Sequence, residues 1–125
     1  MPQSTEKALH ELNKLESERR DCLKAVARSD PLVVGSLNVV PRTCGTPSCH
    51  CATEGDQGHP VSVLMRTVRG RRRCQVVRKA DLPRVTNLVQ DYRDFREVLR
   101  RLKHLESEQK ALLRVLMRLR DEGYE

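Results

Sequence analysis

The C-terminal segment from Asp81 to Gly123 predicts one long amphipathic helix. Asp81 suits the N-cap, Pro83 is tolerated in the first turn, and Gly123 can end the helix. At about 1.5 Å per residue, a helix of about 38 residues is about 57 Å long. A rod of that length cannot be buried inside a chain of 125 residues, so it must pair with another helix. Its apolar stripe comprises Leu88, Tyr92, Phe95, Leu99, Leu102, Leu105, Leu112, Leu116 and Leu119.

Residues 1–30 supply a second amphipathic helix, with Ser4 as a plausible N-cap and Pro31 preventing continuation. One helix enters the middle of the chain and the other leaves it. We therefore expect residues 1–30 and 81–125 to form an antiparallel coiled-coil hairpin. The C-terminal helix outruns its partner at its far end, which predicts a homodimer with Leu112, Leu116 and Leu119 at the interface.

The middle of the chain, residues 31–80, predicts a small β-module. Its candidate strands are "LVVGSLNVV", which stops at Pro41, then "VSVLMRTV" and "CQVV", with Gly70 supplying a tight turn. The predicted fold is α+β, with the two long helices flanking a zinc-stabilised three-stranded antiparallel sheet. A low aromatic content of 2% and a charged fraction of 33% suit helices packed side by side better than a thick sandwich.

The loop "TCGTPSCHCATEGDQGHP", residues 43–60, predicts a metal site. Its cysteines and second histidine follow the spacing Cys44-x4-Cys49-x-Cys51-x7-His59, and three cysteines with one histidine are a common structural zinc set. His59 is the better fourth ligand, and His50 stays an alternative. Redox-sensing thiols and a loop without a ligand are the other interpretations. The remaining cysteines, Cys22 and Cys74, read as small buried hydrophobes.

Nothing in the sequence predicts an enzyme. Cys49 and His50 could be imagined as nucleophile and base, but sequence neighbours rarely face each other and no acidic residue is placed to orient the histidine. Glu54 could assist a catalytic zinc in principle. We find no glycine-rich phosphate loop and no paired catalytic carboxylates.

Positive charge is concentrated in the middle of the chain. The net charge is +7, and residues 31–84 carry nine basic side chains against three acidic ones. Arginine forks suit phosphate oxygens, and a β-ribbon can enter a DNA groove. The alternative is a solvated strand edge on which charge blocks aggregation. The candidate nucleic-acid ligands are Arg66, Arg69, Arg71, Arg72, Arg73, Arg78 and Lys79.

Four stretches together resemble a family of short, uncharacterised bacterial proteins associated with mobile elements and transposase-like genes. They are "GSL" (35–37), "CGTPSCHCA" (44–52), "GHP" (58–60) and "RGRRRCQVV" (69–77). The family carries aromatic residues after the histidine, where this chain has "VSVL". The resemblance implies a mobile-element context and a transposase or other protein as a partner.

These observations predict a non-catalytic, zinc-containing protein that binds double-stranded DNA as a dimeric accessory or regulatory factor. The alternative is a coiled-coil adaptor that binds a protein partner and uses its zinc loop only for structure. The N-terminus lacks the apolar stretch of a signal peptide, and no apolar run reaches the about 20 residues that cross a bilayer. We therefore expect a cytoplasmic protein without a membrane partner.

Overall fold

The structure is a computed structural model that describes residues 1–124. Helix α1 spans Thr5–Val26, strands β1, β2 and β3 span Ser36–Arg42, His59–Val68 and Arg71–Val76, and helix α2 spans Leu82–Arg120. A short 3-10 helix, His50–Ala52, lies between β1 and β2. Two helices and a three-stranded antiparallel sheet confirm the predicted α+β class.

The chain forms two compact units. The helical unit combines Met1–Asp30 with the chain from Asp94 onward, and the sheet unit is Pro31–Arg93. The predicted β-module at 31–80 lies within the sheet unit, which also takes the first turns of α2. There, the backbone N–H of Val33 donates to the carbonyl oxygen of Leu88 at 3.0 Å.

In the helical unit, α1 begins at the predicted cap. The Ser4 hydroxyl accepts a hydrogen bond from the Lys7 backbone N–H at 3.3 Å, which satisfies one of the free donors of the first turn. The helix ends at Val26, before Pro31 is reached. The buried apolar side chains of the helical unit are Ala8 on α1 and Leu105 and Leu112 on α2.

Polar contacts also join the two helices of this unit. The Gln109 side-chain amide donates to a Glu16 carboxylate oxygen at 2.8 Å, and the Arg101 Nε donates to Glu18 at 2.8 Å. Glu16 pairs farther along α2 than Glu18 does, so residue numbers fall on α1 as they rise on α2. The Gln109 hydrogen bond, together with Arg19 and Arg20, lowers the pKa of Glu16.

The sheet has the order β1-β2-β3, so β2 is central. Val63 and Leu64 are consecutive residues of β2 and both are buried. Because successive side chains of a strand point to opposite faces, both faces of the sheet are covered at this point. Every residue of β3 is exposed, as befits an edge strand.

The first strand differs from the prediction. It begins at Ser36 rather than Leu32 and continues through Pro41 to Arg42. Pro41 is paired with Pro60, and neither residue has an N–H to donate. This pair must therefore be one of the alternating pairs that exchange no backbone hydrogen bonds, where proline costs the ladder nothing. Pro41 was wrongly expected to end the strand.

The turn between β2 and β3 is the predicted tight turn. Val68 pairs with Arg71, which leaves Arg69 and Gly70 as the two turn residues. Their φ angles are 52° and 77°, and two consecutive positive φ values are typical of a type I′ turn. Gly70 adopts this conformation without the steric cost that a side chain brings. Among residues 1–124, no helix is long and apolar enough to cross a membrane.

Candidate metal centre

The loop between β1 and β2 is closed by the end of the strand ladder. Arg42, the last residue of β1, pairs with His59, the first residue of β2. Cys44 follows β1 by two residues, Cys49 precedes the 3-10 helix and Cys51 lies within it. The Cys49 N–H donates to the Thr46 carbonyl at 3.1 Å, so the chain turns back within the loop. The ladder and the 3-10 helix thus direct both ends of the loop to one place.

The four predicted ligands converge there. One ligand atom from each of Cys44, Cys49, Cys51 and His59 lies within 4.8 Å of all the others. The Cys44 and Cys51 Sγ atoms are 3.4 Å apart, and the Cys49 Sγ lies 3.1 Å from the His59 Nε2. In a tetrahedral zinc site two sulfur ligands are about 3.8 Å apart, and sulfur and nitrogen about 3.6 Å, given the usual zinc–ligand bond lengths. The cluster therefore has the donor set and dimensions of a metal site.

The four residues of the cluster differ in their exposure to solvent. Cys51 is only 2% exposed, Cys49 and His59 are half-buried, and Cys44 is exposed. Backbone and side-chain hydrogen bonds from Thr46, followed by those from Cys51 and Cys49, lower the pKa of the Cys44 thiol to about 6. The thiolate is the form that binds a metal, and this lowered pKa favours it at Cys44.

The pKa of Cys51 moves the other way. The Cys44 backbone N–H donates to its sulfur at 3.4 Å and favours the thiolate. Burial and the neighbouring Cys44 and Cys49 sulfurs outweigh that hydrogen bond and raise the pKa of Cys51 to about 11. Three thiols so close together cannot all be ionised cheaply without a cation between them.

His50, the alternative fourth ligand, does not join the cluster. Its Nδ1 lies 3.1 Å from an Asp56 carboxylate oxygen, and the other Asp56 oxygen accepts a hydrogen bond from the Gly58 N–H at 2.7 Å. The His50 ring meets the His59 ring edge-on at a centroid distance of 4.9 Å. His50 is thus a neighbour of the cluster that packs against one of its members.

Asp56 is a further residue of the site that ligand spacing does not single out. The Gly58 N–H, followed by His50, lowers the pKa of its carboxyl group. Its two hydrogen bonds join the middle of the loop to the residue that precedes His59. The signal was present in "GDQG", because an aspartate two residues before a glycine favours a turn in which the side chain accepts from the backbone.

The other two cysteines lie outside the cluster. Cys22 is half-buried on α1. Cys74 is exposed on β3 rather than buried, and its sulfur lies 3.7 Å from an Arg42 guanidinium nitrogen. Because β3 is an edge strand with no exterior neighbour, the expected burial of Cys74 was wrong.

The basic residues of β2 and β3 and their turn form what we call the arginine hairpin, residues 66–73. Arg66 is half-buried, whereas Arg69, Arg71, Arg72 and Arg73 are exposed. Within residues 1–124, none of these five arginines has a carboxylate at ion-pair distance. The predicted ligands beyond the hairpin are Arg78, which forms an ion pair with Asp81 at 3.4 Å, and Lys79, which is exposed.

The residues predicted for a dimer interface lie in the helical unit. Leu112 is only 5% exposed and belongs to the interior of its own chain. Leu116 is half-buried and Leu119 is exposed. Leu113 and Met117, at the same far end of α2, are 53% and 66% exposed and leave an apolar surface on the helix.

Comparison with known proteins gives one match. A family model described as "Domain of unknown function (DUF6788)" matches residues 10–87, which include most of α1, the Cys/His cluster and the arginine hairpin. No curated protein and no solved structure matches the chain.

Proposed function

The chain belongs to the DUF6788 family, and we propose that it is a zinc-containing, non-catalytic protein that binds double-stranded DNA through its arginine hairpin. The observation that carries the zinc assignment is the convergence of Cys44, Cys49, Cys51 and His59 within 4.8 Å. Four protein ligands complete a tetrahedral sphere, which is the pattern of structural zinc sites rather than of catalytic ones with an open position. The ion holds the loop against the β1–β2 ladder.

Metal content tests this assignment directly. Protein purified without added zinc should contain about one equivalent of zinc per chain, because four convergent soft ligands bind zinc tightly. Cys49→Ser removes one ligand and should lose most of the metal, whereas Cys74→Ser, on an exposed cysteine of the same unit, should keep it. Less than half an equivalent in the wild type, unchanged by Cys49→Ser, would exclude the site.

Support for DNA binding comes from the charge of the hairpin. Five arginines have no carboxylate partner among residues 1–124, and four of them are exposed around one turn. Arginine binds phosphate oxygens through two parallel N–H groups, so an unpaired cluster of this kind suits the backbone of a duplex. Aromatic side chains that could stack on unpaired bases are absent from residues 61–80.

Salt dependence measures how many phosphates the hairpin contacts. If each of the five arginines contacts a phosphate of its own, the slope of log affinity against log salt is about −4.5, and affinity falls about 500-fold between about 50 and 200 mM salt; fewer contacts give a shallower slope. Replacing Arg71, Arg72 and Arg73 by Gln should flatten this slope. Replacing Arg114, Arg118 and Arg120 by Gln removes the same charge from α2 and should leave the slope unchanged.

Dimerisation is part of the proposal. In the helical unit, the opposite residue order of the Glu16–Gln109 and Glu18–Arg101 contacts supports an antiparallel coiled-coil hairpin. The exposed Leu113 and Met117 then provide a surface for the same face of a second copy. A dimer presents two arginine hairpins and therefore suits a target with two half-sites.

A coiled-coil adaptor is the second candidate, and the exposed apolar surface of α2 is the observation that favours it. In that case Leu113 and Met117 bind a different protein, and the zinc loop serves only the fold. The motif resemblance to proteins associated with mobile elements adds a transposase as a candidate partner and an accessory or regulatory role. Absence of any duplex binding at low salt would leave the adaptor as the better assignment.

A further inference from the structure

The arginine hairpin has two chemically different faces. Directly paired residues of neighbouring strands share a face, and alternate residues of one strand do too. Arg66 pairs with Arg73 and Val68 pairs with Arg71, so Arg66, Arg71 and Arg73 lie on one face. Arg72 pairs with Thr67 and lies on the other face. The hairpin therefore presents three arginines on one side and one on the other.

Arg66 and Arg73 are directly opposite each other. The Val77 N–H donates to the Ser62 carbonyl, which makes that pair a hydrogen-bonded one. Since hydrogen-bonded pairs alternate along the ladder, the Arg66–Arg73 pair is hydrogen-bonded too, with Cα atoms about 5.5 Å apart. Like charges in this position destabilise a sheet, and no carboxylate of residues 1–124 offsets them. An anion bound between the two guanidinium groups would remove this repulsion.

The Arg66 side chain also lacks an acceptor. Its Nε is buried. Among the side-chain nitrogen and oxygen atoms of residues 1–124, it is the one that is buried without a hydrogen-bond partner. A side chain at Gly35 would meet the Arg66 Cβ at 3.3 Å, so the chain passes close to this arginine and half-buries it. A buried charged donor without an acceptor is costly, and an oxygen-rich anion on the guanidinium supplies acceptors.

The opposite face carries Arg72 of β3 and Arg42 of β1, and the strand register opposes neither of them to another arginine. There, Cys74 is contacted by the Arg42 guanidinium at 3.7 Å, and its cross-strand neighbour Met65 is contacted by the Asn38 amide at 3.4 Å. Arg72 is the arginine that β3 contributes to this face. Three of the four arginines on β2 and β3, including the directly opposed pair, are thus on the face of Arg66.

We infer that Arg66 and Arg73 together bind one phosphate of the DNA backbone, and that their face of the hairpin, rather than the face of Arg72, lies against the duplex. The inference rests on the proposed function, and it adds which arginines share a phosphate and how the hairpin is oriented. Arg71, next along β3 on the same face, then stands about 6.8 Å from Arg73 and reaches a neighbouring position on the backbone.

The test measures binding to a fluorescently labelled duplex by anisotropy, at salt concentrations between about 50 and 200 mM. The proteins compared are the wild type, R66Q, R73Q and the double variant, and R72Q is the matched control. Each slope counts the phosphates that the protein neutralises. With one shared phosphate, either single variant leaves an arginine on it, so affinity falls by about tenfold while the slope changes little. The double variant should lower the slope by about 0.9, and R72Q should change neither quantity.

Three results would overturn the inference. A slope reduced by about 1.8 in the double variant means two separate phosphates. An R72Q effect as large as that of R73Q means that the other face binds. Competition by poly-glutamate with the same dependence on Arg73 means that the site recognises an acidic protein surface.

Two further controls separate the possible failures. If wild-type protein does not bind the duplex at about 50 mM salt, the proposed function fails and the inference fails with it. Because Arg66 is half-buried, each variant is checked for wild-type zinc content and melting temperature. If R66Q unfolds, the comparison of R73Q with R72Q, both on exposed side chains, still decides which face binds.

Discussion

Replacing Gly58 by Ala should weaken metal binding through the backbone alone. Gly58 has a φ of 88° and precedes His59, and a Cβ at this position would lie 2.6 Å from the carbonyl carbon and oxygen of Arg42. Arg42 is the strand partner of His59. The added methyl group can therefore be accommodated only if the last pair of the β1–β2 ladder shifts, and that pair holds a metal ligand.

Gly55 is the matched control. Its φ is 87°, almost the same, but a Cβ there would meet nothing within 4 Å. Both Ala variants pay about 1–2 kcal/mol for a left-handed conformation and gain equally from a less flexible unfolded chain. Only Gly58→Ala adds the overpacking cost of about 1–3 kcal/mol. The difference corresponds to a binding constant about 5- to 160-fold weaker than that of Gly55→Ala.

Cobalt(II) is a suitable probe, because its absorption reports thiolate coordination while a competing chelator sets the free metal concentration. The dissociation constants of the two variants and the wild type are compared at one pH. Affinities of Gly58→Ala and Gly55→Ala that agree within about twofold would refute the reasoning. They would mean that the Arg42–His59 pair does not position the histidine for the metal.

Three further predictions concern the helical unit. Leu105→Ala removes a fully buried side chain and should lower the free energy of unfolding by about 2–5 kcal/mol. Leu113→Ala changes a side chain that is 53% exposed and should lower it by less than about 1 kcal/mol. Urea denaturation followed by circular dichroism measures both. Gln109→Ala should return the pKa of Glu16 toward its ordinary value of 4.5 in an NMR titration. The pKa of Glu16 is lower in the folded than in the unfolded chain. The stabilisation by this contact is therefore present above pH 4.5 and is lost as the pH falls through the pKa of the folded state. Met117→Glu should convert a dimer to a monomer in light scattering, and an unchanged mass would contradict the proposed interface.

Local patterns predicted the elements of the fold well. Ser4, the helical period of α2 and the Arg69–Gly70 turn each act through neighbours within a few residues, and the structure has the cap, the helix and the turn that they predict. Strand limits were predicted less well. Pro41 was expected to end β1 because proline has no backbone N–H. Whether that missing N–H destabilises the sheet depends on whether the cross-strand partner needs it as a hydrogen-bond donor.

The three cysteines of the cluster were readable from their spacing alone, because Cys44, Cys49 and Cys51 lie in one short loop, whereas His50 and His59 stayed alternatives for the fourth position. The roles of Asp56 and His50 were not readable, since they depend on which way the loop folds back. The sequence also could not show that Leu112 is buried and Leu113 exposed, because both are leucines on one helix.

The sequence by itself therefore determined the element types, the three clustered cysteines and the concentration of positive charge, all of which follow from residue chemistry and short-range periodicity. Only the tertiary structure decided which thiol is buried, which histidine joins the cluster and which arginines face each other across the hairpin. The first two depend on how the loop between β1 and β2 folds back. The third depends on strand register, because a shift of β3 by one residue against β2 would place Arg72, rather than Arg71 and Arg73, on the face of Arg66.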